Sequence, residues 1–254
     1  MMETNNMQRI EMKYVLNKEQ LSFLRNAIDG HMKIDKYGKT TILSIYYDTP
    51  DYRLIRNSIE KPIYKEKIRV RSYGLNDGNS NVFLELKRKA KGIVYKRRIT
   101  TNNETIEKFF NYESNIDDHS QIAKELVAFR DHYRLLKPSF MVIYDRTAYE
   151  EIDGDLRLTI DENPRYRVDN LNFASSSDGT PLLDEGSAIL EIKIQEVMPL
   201  WLAKILSEGK IYKTSFSKVG EAYKKEILNK LERKQNIWAH CSKSYPILTK
   251  SLSH

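Results

Sequence analysis

Residues 65–74 read KEKIRVRSYG, with Lys65, Lys67, Arg69 and Arg71 at every second position. Successive side chains of a β-strand point to opposite faces, so as a strand this stretch aims four cations in one direction. Like charges crowded on one face repel, and such a face is stable only opposite something negative. Fold and function both turn on what that negative thing is.

The alternation recurs along the chain. In VFLELKRK (82–89), Glu85, Lys87 and Lys89 share a face and Val82, Leu84 and Leu86 take the other. In GIVYKRRIT (92–100), Lys96 and Arg98 stand together. In RIEMKYVL (9–16), Glu11 and Lys13 oppose Ile10, Met12 and Tyr14. In MVIYDRTAY (141–149), Arg146 lies on the face of Val142 and Tyr144. In LRLTID (156–161), Arg157, Thr159 and Asp161 oppose Leu156, Leu158 and Ile160. In LEIKI (190–194), Glu191 and Lys193 oppose Leu190, Ile192 and Ile194.

A one-sided antiparallel sheet, charged face in water, accounts for any one of these strands. It accounts poorly for the set, because a solvated face mixes signs and this one concentrates Lys and Arg. The expectation is an α+β chain whose mostly antiparallel sheet curls into a β-barrel, with flanking helices on the apolar faces. The charged faces then line a tunnel. Arg matches phosphate oxygens with a planar fork and Lys with a point charge, so such a tunnel suits a string of phosphates. Glu11, Glu85 and Glu191 fit it in either of two ways. They pair with neighbouring lysines, or they hold a hard divalent cation that bridges phosphate oxygens.

Helices are expected where the period changes. NKEQLSFLRNAIDG (17–30) carries Asn17 as N-cap, Gln20 three residues on and Gly30 as stop. TPDYRLIRNS (49–58), NETIEKFFNY (103–112), HSQIAKELVAFRDHY (119–133), PLWLAKILSEG (199–209) and KVGEAYKKEILNKLERK (218–234) complete the set. TTILSIYYD (40–48) reads as a strand, Lys91-Gly92 as a hairpin turn, and NFASSSDGTPLLDEG (172–186) as an irregular loop. Residues 1–230 read as one domain and 231–254 as a C-terminal tail.

The chain has 254 residues, formal net charge +7, 40% hydrophobic and 30% charged residues. That composition is globular, and its basic balance favours a polyanionic partner. Cys241 is the only cysteine, which excludes an internal disulfide and a thiolate zinc cluster. No apolar run approaches the roughly 20 residues that span a bilayer, and MMETNNMQRIEMKY is no signal peptide, so the expected setting is cytoplasmic.

KYGKTT (36–41) is not a phosphate-binding P-loop, since the first glycine of that motif would fall at Lys33. His31, His119, His132, His240 and His254 lack zinc-ligand spacing. No specific nucleic-acid signature is present.

Taken in order, RIEMKY, KIRVRSYG, FLELKRKAKGIVYKRR, YDRTAY, LRLTIDE, LEIKI and KTSFSKVGEAY resemble the VTC domain. This is the polyphosphate polymerase domain within the triphosphate tunnel metalloenzyme, or CYTH-like, superfamily. The resemblance covers residues 7 to about 228. It implies an antiparallel tunnel that binds ATP with Mn²⁺ or Mg²⁺ and moves the γ-phosphate onto inorganic polyphosphate. The site residues it implies are Arg69, Arg71, Lys87, Lys96, Arg146 and Arg157 around the reacting phosphates. Lys13, Arg98, Lys193, Ser217 and Lys218 would hold substrate, and Glu191, with Glu11 and Glu85, the metal. Arg53 or Arg56 would add one further phosphate contact. Hydrolysis of tripolyphosphate or nucleoside triphosphate in the same tunnel, and binding without turnover, are the alternatives. Membrane-bound relatives feed product through an attached transmembrane part. Here the product stays in the cytoplasm or a separate membrane partner takes it.

Overall fold

In a computed structural model of the chain, the described residues are 10–230 apart from 61, 79, 92, 117–119, 196, 228 and 229. The expected tail, with His240, Cys241 and His254, lies outside them, as do His119 and Gly92. The strands are β1 (Ile10–Leu16), β2 (Met32–Asp48), β3 (Tyr64–Tyr73), β4 (Val82–Ala90), β5 (Ile93–Thr101), β6 (Lys137–Glu151), β7 (Arg157–Arg167), β8 (Thr180–Pro181), β9 (Ala188–Ile194) and β10 (Lys213–Thr214). They form one sheet in the order β10-β1-β9-β7-β6-β2-β3-β4-β5, with β8 added to β7, and each pairing is antiparallel.

That path is open, since β5 and β10 are its ends and no ladder joins them among the described residues. It is nonetheless strongly curled. Lys87 of β4 reaches to 3.7 Å from Glu11 of β1, although β9, β7, β6, β2 and β3 lie between the two strands along the sheet. A flat sheet cannot bring those side chains together, so the concave face encloses a lumen.

Helices α1 (Lys18–Ala27), α2 (Arg53–Ile59), α3 (Asn103–Phe110), α4 (Gln121–Tyr133), α5 (Leu200–Glu208) and α6 (218–227) flank the sheet. Of these, α1, α3, α4 and α5 cover the convex face, α6 lies on the other side, and α2 borders both, with Leu54 on the outer cluster and Ile55 on the inner. Local signals set their starts. Asn17 and Gln20 form the expected capping box, and Asn102 and Ser120 cap α3 and α4. The Asp48 carboxylate ends β2 and accepts from the backbone N–H groups of Thr49, Leu54 and Ile55, which fixes α2.

Two apolar clusters lie outside the curl. Leu43, Ile68, Leu84 and Leu86 pack on Phe109, Leu126 and Phe129 of α3 and α4. Leu158, Ile160, Leu190 and Ile192 pack on Leu24, Leu202 and Leu206 of α1 and α5. Each fully buried Leu or Ile contributes about 1.5–3 kcal/mol, so the strand alternation commits the apolar face outward and leaves the charged face inside. A third cluster was not foreseen. Ile42, Val142 and Tyr144 point into the curl, where Val219 and Ala222 of α6 and Ile55 of α2 cover them. This fills one end of the concave face.

Two strands run further than the sequence suggested. β2 begins at Met32, and its first half pairs with the end of β6 across a register shift between Ile34 and Lys39. KYGKTT is therefore strand. β7 continues through Pro164 to Arg167 past a bulge at Asn163, which adopts φ +47. No helix of the described residues is long and apolar enough to cross a membrane.

Candidate functional site

Antiparallel register dictates who meets whom inside the lumen. Across β3 and β4, Lys67 faces Lys87 and Arg69 faces Glu85; across β4 and β5, Lys87 faces Lys96 and Glu85 faces Arg98. One row is thus lysine three times over, and the next is Arg–Glu–Arg. Directly opposed like charges destabilise a sheet, so the lysine row costs stability in the empty protein.

Glu85 is the anchor of this wall. It is 2% exposed and receives Arg69 at 2.8 Å, Arg98 at 2.8 Å, Lys96 at 3.0 Å and Arg71 at 3.8 Å. Burial pushes its carboxyl up, but Arg69, Arg71 and Lys96 outweigh burial and hold it well below the usual carboxylate range. Two phenols complete the anchoring. Arg69 donates to Tyr46 Oη at 2.9 Å and Arg71 to Tyr144 Oη at 3.3 Å. Burial raises the Tyr46 phenol, yet Arg69, Lys67 and Arg71 bring it down to about 8.

The facing wall interleaves acids and bases. Lys13 sits 2.9 Å from Glu191 and 3.5 Å from Glu11. Arg146 grips Asp161 with two hydrogen bonds, at 2.6 and 2.7 Å, and also reaches Glu191 at 3.4 Å. Lys218, the first residue of α6, donates to Asp161 and lies 3.7 Å from Glu191. The short β1–β10 pairing, Lys13 with Thr214, delivers the chain to this point. Asp161 is fully buried, and burial raises its carboxyl while Lys218 and Arg146 pull it down below the ordinary value. Glu191 is held low in the same way by Lys218, Lys13 and Arg146. Lys193 is drawn down chiefly by burial.

The structure therefore brings Lys13, Arg69, Arg71, Lys87, Lys96, Arg98, Arg146, Lys193 and Lys218 to the lumen together with Glu11, Glu85 and Glu191. Ser217 joins them, its Oγ accepting from Lys67 and from the Gly220 N–H at the start of α6. Arg157 stands at the rim, 60% exposed and 4.0 Å from Glu150. Arg53 lies over the Tyr133 ring on the outside and Arg56 beside Asp51, both on the exposed surface. Lys67 belongs to the same-facing cation run of residues 65–74 but has no site role assigned from sequence; Asp161 and the phenols of Tyr46 and Tyr144 were missed. The alternation places Lys67 and Asp161 on the right faces, but nothing local says what they touch.

A hard divalent cation has suitable donors here. Glu191 and Glu11 share Lys13, and the hydroxyl of Thr159, opposite Glu191 in the β7–β9 ladder, is buried without a hydrogen-bond partner. No three His, Cys, Asp or Glu groups converge among the described residues. The set fits a hard divalent cation that takes one or two carboxylates and its remaining ligands from phosphate oxygens and water.

Residues 8–227 match the family model described as the VTC domain. Among solved structures, a protein described as a candidate adenylate cyclase from Bacillus halodurans aligns with a TM-score of 0.52 at 14% identity, covering 83% of this chain and 96% of that one. That likeness shows the fold. A Pyrococcus horikoshii protein aligns more loosely, with a TM-score of 0.43 at 18% identity over 85% of this chain and 99% of that one. No curated protein matches the chain in sequence.

Proposed function

The chain belongs to the VTC domain family, and on that footing we propose that it is a metal-dependent phosphotransferase that extends inorganic polyphosphate with the γ-phosphate of ATP. The observation that carries this reading is the opposed row Lys67, Lys87 and Lys96 beside Arg69 and Arg98, five cations that share two carboxylates, Glu85 and Glu11, within ion-pair distance among the described residues. Lys87, Lys96, Arg69 and Arg71 would neutralise the phosphates, while Lys13, Arg98, Arg146, Lys193, Ser217 and Lys218 align them and Arg157 meets them at the rim. Glu191 and Glu11 would hold Mn²⁺ or Mg²⁺, which supplies charge neutralisation at the triphosphate. Glu85, with both oxygens held by Arg69, Arg98 and Lys96 at 2.8–3.0 Å, is assigned as the counter-ion that preorganises the cation wall, whereas Glu191 has one partner that close, Lys13.

In the reaction, a non-bridging oxygen of the chain's terminal phosphate forms a bond to the γ-phosphorus of ATP. The bond from that phosphorus to the β–γ bridging oxygen breaks, and ADP leaves with the electron pair. The attacking oxygen is ionised at neutral pH, so no general base is required. Positioning and charge neutralisation do the rest. The reading takes 1–230 as the functional unit and the cytoplasm as its setting.

The test is to incubate the purified protein with ATP and Mn²⁺ and follow products by ³¹P NMR. Growth of the internal-chain phosphate signal with release of ADP is expected. Orthophosphate with ADP would identify a tunnel hydrolase instead, and unchanged ATP a binding module.

A further inference from the structure

Among the described residues two lumen lysines lack an ion pair: Lys193, which still lies in the field of Glu191 and Glu11, and Lys67, with no carboxylate among the main charges acting on it. Lys67 is thus the less compensated of the two. Its Nζ donates to Ser217 Oγ at 3.0 Å, and among the described residues no carboxylate lies within ion-pair distance of it. Lys87 has Glu11, Lys96 has Glu85, and Lys13 and Lys218 have Glu191, so the neighbouring ammonium groups are compensated. The groups around Lys67 are Lys13 from β1, Tyr46 from β2, Lys65 on its own strand, Lys87 from β4 and the Ser217 hydroxyl ahead of α6. Three of those are cations, and Tyr46 already has Arg69. An ammonium in that position is poorly tolerated until an anion arrives.

We propose that Lys67 is a ligand of the phosphate chain that gains its proton as the chain enters, so that substrate binding and proton uptake are coupled at this residue. The inference rests on reading the lumen as a phosphate-chain site. Its electrostatics agree with it. Burial, with Lys65, Lys13 and Lys87, lowers the ammonium to about 8, while Tyr46 opposes them. A phosphate oxygen beside Ser217 replaces the missing counter-charge and returns Lys67 to its ordinary basicity. Above pH ~8 the empty protein then holds Lys67 largely neutral, the loaded protein holds it charged, and affinity falls by up to about tenfold per pH unit.

The experiment is calorimetric titration with inorganic tripolyphosphate from pH 7 to 9.5, in buffers of different ionisation enthalpy. Wild type, Lys67→Met, Lys67→Arg and Tyr46→Phe are compared, each first confirmed folded by circular dichroism. Subtracting Lys67→Met from wild type removes protons exchanged by the ligand itself. The expected difference is close to one proton taken up near pH 9. Lys67→Arg should bind well at all pH values without that uptake, and Tyr46→Phe should retain it. Equal proton uptake in wild type and Lys67→Met, or uptake lost only in Tyr46→Phe, would overturn the assignment while leaving the tunnel reading intact. Absence of tripolyphosphate binding at every pH would overturn both.

Discussion

The wall made by β3, β4 and β5 and the wall made by β1, β9, β7 and β6 use the same residue types to opposite ends. On the first, one buried carboxylate, Glu85, serves four cations while Lys67 and Lys87 face each other directly. On the second, Glu11, Asp161 and Glu191 are threaded between Lys13, Arg146 and Lys218. The first wall is under-neutralised and waits for an anion. The second sets three carboxylates against Lys13, Arg146, Lys193 and Lys218, so it is nearly balanced and offers oxygen donors for a cation. A lumen with both walls can hold a metal and its phosphate chain together, which a uniformly basic lumen cannot.

The sharpest way to break this contrast is Glu191→Gln. The amide keeps the volume of the side chain but loses the charge and, at its NH2, one acceptor for Lys13 or Arg146. Metal-dependent turnover should fall by about 100-fold or more with the circular dichroism spectrum unchanged. Full turnover would remove the metal role from the second wall.

Next in size is Arg146→Ala. It takes the bidentate partner from a fully buried carboxylate, Asp161, and leaves that charge to Lys218 alone. The expected loss is about 3–5 kcal/mol in urea unfolding, since stripping a partner from a buried ion pair exposes its desolvation cost.

The smallest effect has the opposite sign. Lys67→Met removes an uncompensated cation from the first wall, so the empty protein should gain stability, with Tm rising by about 2–4 °C at pH 7. The pH dependence follows the same division. Glu85 and Glu191 titrate below their unfolded values, so their stabilisation is complete above about pH 5 and is lost as pH falls through their folded values. Lys67 titrates at about 8 when folded and higher when unfolded. Its penalty is therefore present at neutral pH and fades as pH rises through about 8 towards 10.5. Thermal melts across pH 3–10 of wild type and Lys67→Met check both arms, and the benefit of the mutation should disappear near pH 10.

Much of this was legible in sequence because strand alternation is a local signal. The inward faces of β1, β3, β4, β5, β7 and β9 could be read two residues at a time, and their lysines and arginines with them. Partnerships were not legible, because they join distant segments. Lys67 meets Ser217 across 150 positions and Arg71 meets Tyr144 across 73. Val142 and Tyr144 share a face with Arg146, and the alternation alone gives two apolar side chains on that face no role. They form the floor on which α6 rests, and only the return of the chain through β10 reveals it.

The lysine rows also set a spacing. Cations recur about 4.8 Å apart from strand to strand and about 6.8 Å apart along each strand. Successive phosphates of a polyphosphate share one bridging oxygen and stand closer together than either distance. Ligand and lining are thus two rulers with incommensurate marks. On the function proposed above, no position of the chain satisfies every cation at once, and a shift by one phosphate exchanges one imperfect match for another. Friction between such rulers is low, so a long polyanion can be gripped strongly by the lumen and still slide through it.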